Sequence, residues 1–214
     1  MKHHYAGKLI SLEGIDGSGK STLAKGLVQA LLVYGLPVVA TKEFGATPLG
    51  ERLRTLLHER HEPMCAKTEF LIVAADRAQH FDQIVIPALQ AGTIVVSDRM
   101  NDSSLAYQGY GRGLDLEMLR SINAWAMNGV KQDIVLFVDI DFETAMSRIH
   151  QRNQRLTAFE QEAVDFWHRV RDGYHTLFAD RDDVVWLDGT LSPHDLVQAA
   201  VNVLVQRGII NGYL

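Results

Sequence analysis

Cysteine is almost missing from this chain. Cys65 is the only one, so no disulfide can form within the chain, and the expected setting is a reducing cytoplasm. An excess of basic charge is missing as well. Twenty-one Lys and Arg stand against 26 Asp and Glu, for a formal charge of −5 and a pI of about 6.0. That balance excludes a global positive field for nucleic acid or a membrane surface, so any cationic function must be local. No apolar run approaches the roughly 20 residues of a membrane span. The first residues, Met1–Tyr5, lack the apolar core of a secretory leader. Repeats, low-complexity stretches and linkers are absent too, so residues 1–214 read as one domain.

What is present is an alternation of strand and helix signals. Short apolar runs at Lys8–Leu12, Val38–Thr41, Thr93–Ser97, Asp133–Val138 and Asp183–Leu187 read as buried strands. Helical patterns lie between them at Leu23–Leu32, Pro48–Leu57, Lys67–Gln90, Asp115–Met127 and Phe142–His150. A further helix is expected to start after Thr157, at a Thr-x-x-Glu capping box, and to run to about Ala179. Ser192 caps a last one over Pro193–Gln206. The pattern predicts an α/β fold: a five-stranded parallel sheet flanked by helices, in three α/β/α layers. Ligands in such sheets bind at the C-terminal ends of the strands. The apolar surface of Lys67–Gln90 is wider than one stripe, enough for the sheet and for a second helix surface.

Two constellations fall on that strand edge. Gly14-Ile15-Asp16-Gly17-Ser18-Gly19-Lys20-Ser21-Thr22 fits G-x-x-x-x-G-K-[ST] between a strand and a helix. Glycines let backbone N–H groups close on a triphosphate, and the helix N-terminus faces the anion. Lys20 is a cation for the β and γ phosphates, and the Ser21 hydroxyl is a Mg²⁺ ligand. Asp98-Arg99 closes the third long apolar strand. Asp98 is placed to hold Mg²⁺ and Arg99 to fork onto phosphate oxygens. A nucleoside triphosphate and Mg²⁺ are therefore the expected donor and cofactor, and the expected sheet is of the P-loop NTPase type.

Asp98-Arg99-Met100-Asn101-Asp102-Ser103-Ser104-Leu105-Ala106-Tyr107-Gln108-Gly109 resembles the D-R-x-x-x-S-x-x-A-Y-Q-G signature of thymidylate kinases. Ala75-Asp76-Arg77-Ala78-Gln79-His80 resembles the same family's A-D-R-A-Q-H helix, and Gly14–Thr22 its phosphate loop. The likeness runs through essentially the whole chain. It implies transfer of the γ-phosphoryl of ATP to dTMP, giving dTDP, by a typically homodimeric enzyme. It further implies that Arg99 clamps the acceptor phosphate opposite Lys20, that Arg77 donates to the thymine O4 edge, and that Ser103, Ser104 and Gln108 serve the base. Tyr107 would cover the sugar at C2′, Asp16 would face the 3′-OH or a metal-bound water, and Glu43 would stand behind metal or acceptor.

The basic segment Arg148–Arg155 matches the family's lid, expected at about 148–160, with Arg152 and Arg155 as its catalytic arginines. Gly17 stands where some members carry arginine, which implies the bacterial type, with that charge supplied by the lid. Val73 stands where the family usually has a base-stacking aromatic. Phe44 replaces a proline and offers an aromatic wall. The alternatives are a P-loop kinase for another nucleotide or deoxynucleoside, and a regulatory relative that binds ATP without turnover. A GTPase would need an N-K-x-D guanine reader after a strand, and none is present.

Overall fold

The computed structural model describes residues 4–58, 63–152 and 156–210. Five strands, β1 (Leu9–Glu13), β2 (Val38–Lys42), β3 (Ile94–Asp98), β4 (Ile134–Asp139) and β5 (Val184–Asp188), form one sheet. Every pairing is parallel and the order is β2-β3-β1-β4-β5. The P-loop NTPase-type α/β expectation is met. The register sets Leu12 beside Asp98 and Leu136, so the loops after β1, β3 and β4 leave the same edge of the sheet.

Alternating side chains cover both faces, as buried parallel strands require. On one face Ile10, Leu12, Val96, Leu136 and Val138 pack under Leu23, Leu27 and Leu31 of α1 (Lys20–Val33) and Leu196, Val201 and Leu204 of α9 (Pro193–Gln206). Ser192 caps α9 as expected, accepting from the Asp195 N–H. On the other face Leu9 and Val95 meet Phe81, Val85 and Leu89. Further along, Val135 and Phe137 meet Phe166, Trp167, Tyr174 and Phe178, which include the buried ridge of α8 (Val164–Phe178). α2 (Pro48–His58) packs beside α3 (Ala66–His80).

Two local readings need correction. The Lys67–Gln90 helix is not uniform: α3 passes through a π-helical turn, Phe81–Val85, into α4 (Ile86–Gln90). The D-R…Y-Q-G stretch is helical as well, as α5 (Asn101–Ser104) and a π-helical run, Leu105–Gly111. Wider turns of this kind often occur at functional sites. Finally, the Thr157 capping box forms, with Thr157 N–H donating to Glu160 and Glu160 N–H to Thr157, but no helix follows at once. α8 begins at Val164, after turns that bury the successive residues Phe159 and Glu160. α6 (Leu116–Ala126) and α7 (Phe142–Gln151) complete the set, with Asp115 and Asp141 as side-chain N-caps. No helix among the described residues is long and apolar enough to cross a membrane.

Candidate active site

The glycine loop leaves β1 at Glu13 and enters α1 through Gly19, the left-handed N-cap (φ 102°). Gly17 has φ +82°, and a Cβ there would lie 2.4 Å from the Ala145 carbonyl oxygen of α7. A side chain at this position is excluded by both strain and contact, so in this chain the loop cannot carry an arginine at 17. Lys20 Nζ donates to the Ile15 carbonyl at 2.6 Å and to Ser18 Oγ at 3.3 Å, closing the loop over itself. Burial, with the like charge of Arg99, pulls the Lys20 ammonium down to about 8. Ser21 Oγ donates to Asp98 Oδ2 at 2.6 Å, so the two expected metal ligands already meet.

Arg99 holds the centre. Its φ of 73° is an uncommon conformation for a residue with a side chain. Backbone bonds fix it there: Arg99 N–H donates to the Leu12 carbonyl, and Ser97 Oγ donates to the Arg99 carbonyl. Its Nη1 donates to the Gly14 carbonyl, Ser103 Oγ and Tyr174 Oη, and its Nη2 to Asp16 Oδ1 (2.5 Å) and Tyr107 Oη (3.0 Å). Burial pushes the Asp16 carboxyl up, but Arg99, Lys20 and Arg152 outweigh it and hold Asp16 below the usual range. Beneath Arg99, Glu13 accepts from Met100 N–H, Ser103 Oγ and Tyr174 Oη. Burial pushes this carboxyl up to about 7, and Asp102 adds to the shift.

A second layer centres on Arg77, which is 1% exposed. Its Nε donates to Glu43, Nη1 to Asn123 Oδ1 and Nη2 to the Met100 carbonyl. Glu43 also meets His80, and although burial raises its pKa, Arg77 brings it below the ordinary value. The structure therefore places Glu43 beside Arg77. Gln108 donates to Glu69. Ser104 Oγ is buried with no hydrogen-bond partner among the described residues, and Ser104 lines the cavity. Arg152 pairs with Glu160, and Arg148 donates to the Ser18 and Gly189 carbonyls. Arg155 lies outside the described residues.

One cavity of about 570 Å³ unites these groups. Asp16, Gly17, Gly19, Lys20, Ser21 and Thr22 line it together with Glu43, Phe44, Arg77, Asp98, Arg99, Ser103, Ser104, Tyr107, Gln108 and Arg152. Gly14, Ile15 and Ser18 are not in the lining; they hold the loop from behind. Seven basic side chains border the cavity against four acidic ones. The local charge is thus opposite in sign to the chain's −5, which favours polyanions held close together.

Sequence reasoning placed Arg148 only at the start of the lid's basic segment, and it missed Glu13, Tyr174, Arg54, His58 and Phe159 as site residues. Glu13 left a signal, a carboxylate ending an otherwise apolar strand just before Gly14. Tyr174 left none, because it sits on the apolar ridge of α8 like any core aromatic.

Residues 12–200 match the family model described as thymidylate kinase. Among curated proteins, the chain is 44% identical over 177 residues to the thymidylate kinase of Halothermothrix orenii, covering 82% of this chain and 86% of that protein. It is 47% identical over 174 residues to that of Pelotomaculum thermopropionicum, covering 81% of each. It is 38% identical over 205 residues to that of Chlorobaculum parvum, covering 92% and 94%.

Proposed function

The chain belongs to the thymidylate kinase family, and we propose that its reaction is transfer of the γ-phosphoryl of ATP to dTMP, giving dTDP and ADP. One observation carries this reading: Lys20 and Ser21 of the glycine loop share a cavity with Arg99, Arg77 and Tyr107. A donor triphosphate on the loop and an acceptor monophosphate on Arg99 then meet between two cations, and the protein's task is positioning and charge stabilisation.

Lys20 moves from the Ile15 carbonyl to the β and γ phosphates. Arg99 exchanges part of its contact with Asp16 for the acceptor phosphate, and Asp16, held ionised, remains beside it for the 3′-OH. Tyr107, braced by its bond from Arg99, lies against the sugar. Arg77 Nη1 carries two N–H groups, one of which goes to Asn123; the other serves the base O4. Ser104 Oγ, buried without a partner, is a further polar contact for the acceptor. Arg152, and Arg155 with it, supplies positive charge to the moving phosphoryl from a lid at about 148–160 in a single domain, and the lid excludes water.

Mg²⁺ fits the donor end. The Ser21–Asp98 pair is an all-oxygen set with one carboxylate, and among the described residues no cluster of three or more His, Cys, Asp or Glu competes as a metal site. Magnesium usually takes one or two carboxylates plus phosphates and water. Held there, it would supply positive charge to the triphosphate. A homodimer is the proposed assembly, supported by the exposed apolar side chains Leu71 on α3 and Met118 and Trp125 on α6. Light scattering giving a monomer at micromolar concentration would refute it. A cytoplasmic setting agrees with the single, exposed Cys65.

The test is ADP release with ATP and Mg²⁺ against dTMP, dUMP, dCMP, dGMP, AMP and thymidine. dTMP is expected to turn over fastest. A different best acceptor would overturn the assignment, and no turnover on any of them would favour a regulatory nucleotide-binding protein.

A further inference from the structure

The acceptor end of the cavity has an unusual distribution of side chains. α3 contributes Val73, an aliphatic residue, beside Arg77. The flat surfaces come from elsewhere: Phe44 from the loop after β2, His58 from the end of α2, and Phe159 from the turn before α8. The Phe159 ring lies 6.4 Å from Phe44, 6.2 Å from His58 and 5.8 Å from Tyr107, the last two edge-on. Phe44 directly follows Glu43, which binds Arg77, so these rings and Arg77 belong to the same end of the site.

Phe159 is also braced. The Arg112 guanidinium stands 6.0 Å from its ring centroid and is itself fixed by Glu69 and Glu162. The next residue, Glu160, accepts from Arg152 and from the Thr157 N–H. One turn therefore presents an aromatic ring to the cavity and grips an arginine through the adjacent residue.

We propose that Phe159, with Phe44 beside it, is the aromatic contact for the acceptor's base and sets the preference for a flat pyrimidine ring. This rests on the monophosphate-kinase reading above. A planar base has a π face that an aromatic ring matches and Val73 cannot. Because Phe159 and Glu160 share a turn, seating the base and holding the Arg152 segment are a single packing event. Base recognition then comes from the same segment that excludes water.

The experiment compares dTMP with its 5,6-dihydro derivative, which keeps O2, N3 and O4 but has a puckered, non-aromatic ring. The unmodified chain should prefer dTMP in kcat/KM. Phe159→Ala should raise KM for dTMP about tenfold, within the range of one lost base–aromatic stack, leave KM for ATP within about twofold, and shrink the dTMP preference several-fold. Phe159→Leu keeps the bulk without the π face and should shrink the preference in the same direction; it carries the test if circular dichroism shows the alanine variant unfolded. Equal losses for both acceptors in the folded variant would overturn this proposal alone. No turnover of dTMP by the unmodified chain would remove the kinase reading with it.

Discussion

Raising the pH from 7.5 to 9 should weaken nucleotide binding before it harms the fold. Lys20 is the group responsible. Burial and the nearby Arg99 bring its ammonium down to about 8 from an ordinary 10.5. At pH 9 about one in ten free chains carries the charge, from the one-unit distance between pH and pKa. A bound triphosphate supplies the opposite charge and moves Lys20 back toward its ordinary value. The nucleotide selects the charged form, so its apparent Kd should rise about tenfold at pH 9 relative to neutrality, with uptake of nearly one proton on binding. Stability moves the other way. The folded pKa lies below the unfolded one, so the cost of burying the cation is fully present below pH 8 and fades as pH rises toward 10.5. Calorimetric titration of ATP in two buffers of different ionisation enthalpy reads both affinity and proton uptake, with Lys20→Met as the control that should lose the pH dependence. An affinity that is flat from pH 7.5 to 9, with no proton taken up, would rule out Lys20 as the titrating group.

Two further outcomes follow from the site. Arg152→Ala should lower kcat by about 10³-fold while KM for ATP and dTMP stays within a few-fold, as steady-state kinetics would check; an unchanged kcat would remove Arg152 from the transition state. Glu13, pushed up to about 7 by burial, binds a proton more tightly folded than unfolded, so its contribution to stability is full below about 4.5 and lost as pH rises to 7. Between pH 5 and 7 the melting temperature should fall roughly 5 °C more than in Glu13→Gln, whose amide resembles the protonated acid. Parallel melting curves would contradict this.

The sheet was legible because strands buried on both faces leave continuous apolar runs, as in Ile134–Val138, and because Ser192-Pro193 marks a helix start in two residues. The phosphate loop was legible because its glycines answer a backbone requirement that few other residues meet, as the Ala145 oxygen beside Gly17 illustrates. The start of α8 was not. Thr157 and Glu160 form their reciprocal bonds, but a local motif does not reveal that Phe159 is drawn into an aromatic cluster or that Glu160 is claimed by Arg152. The environment of Arg77 was equally hidden. Its partners Glu43, Met100 and Asn123 lie 34, 23 and 46 positions away in sequence, so only the fold brings them together. The π-helical run at Leu105–Gly111 also lacks a sequence period that separates it from an ordinary helix.

In the proposed reaction one cavity holds a nucleoside triphosphate and a nucleoside monophosphate end to end, with Lys20 on one side and Arg99 on the other. A single molecule tests it: adenosine joined to thymidine through a 5′,5′-pentaphosphate, titrated calorimetrically into the full chain. One molecule should bind per chain, far more tightly than ATP or dTMP alone, with Lys20→Met and Arg99→Lys each removing much of the gain. Binding no tighter than that of ATP, or insensitive to Arg99→Lys, would contradict it.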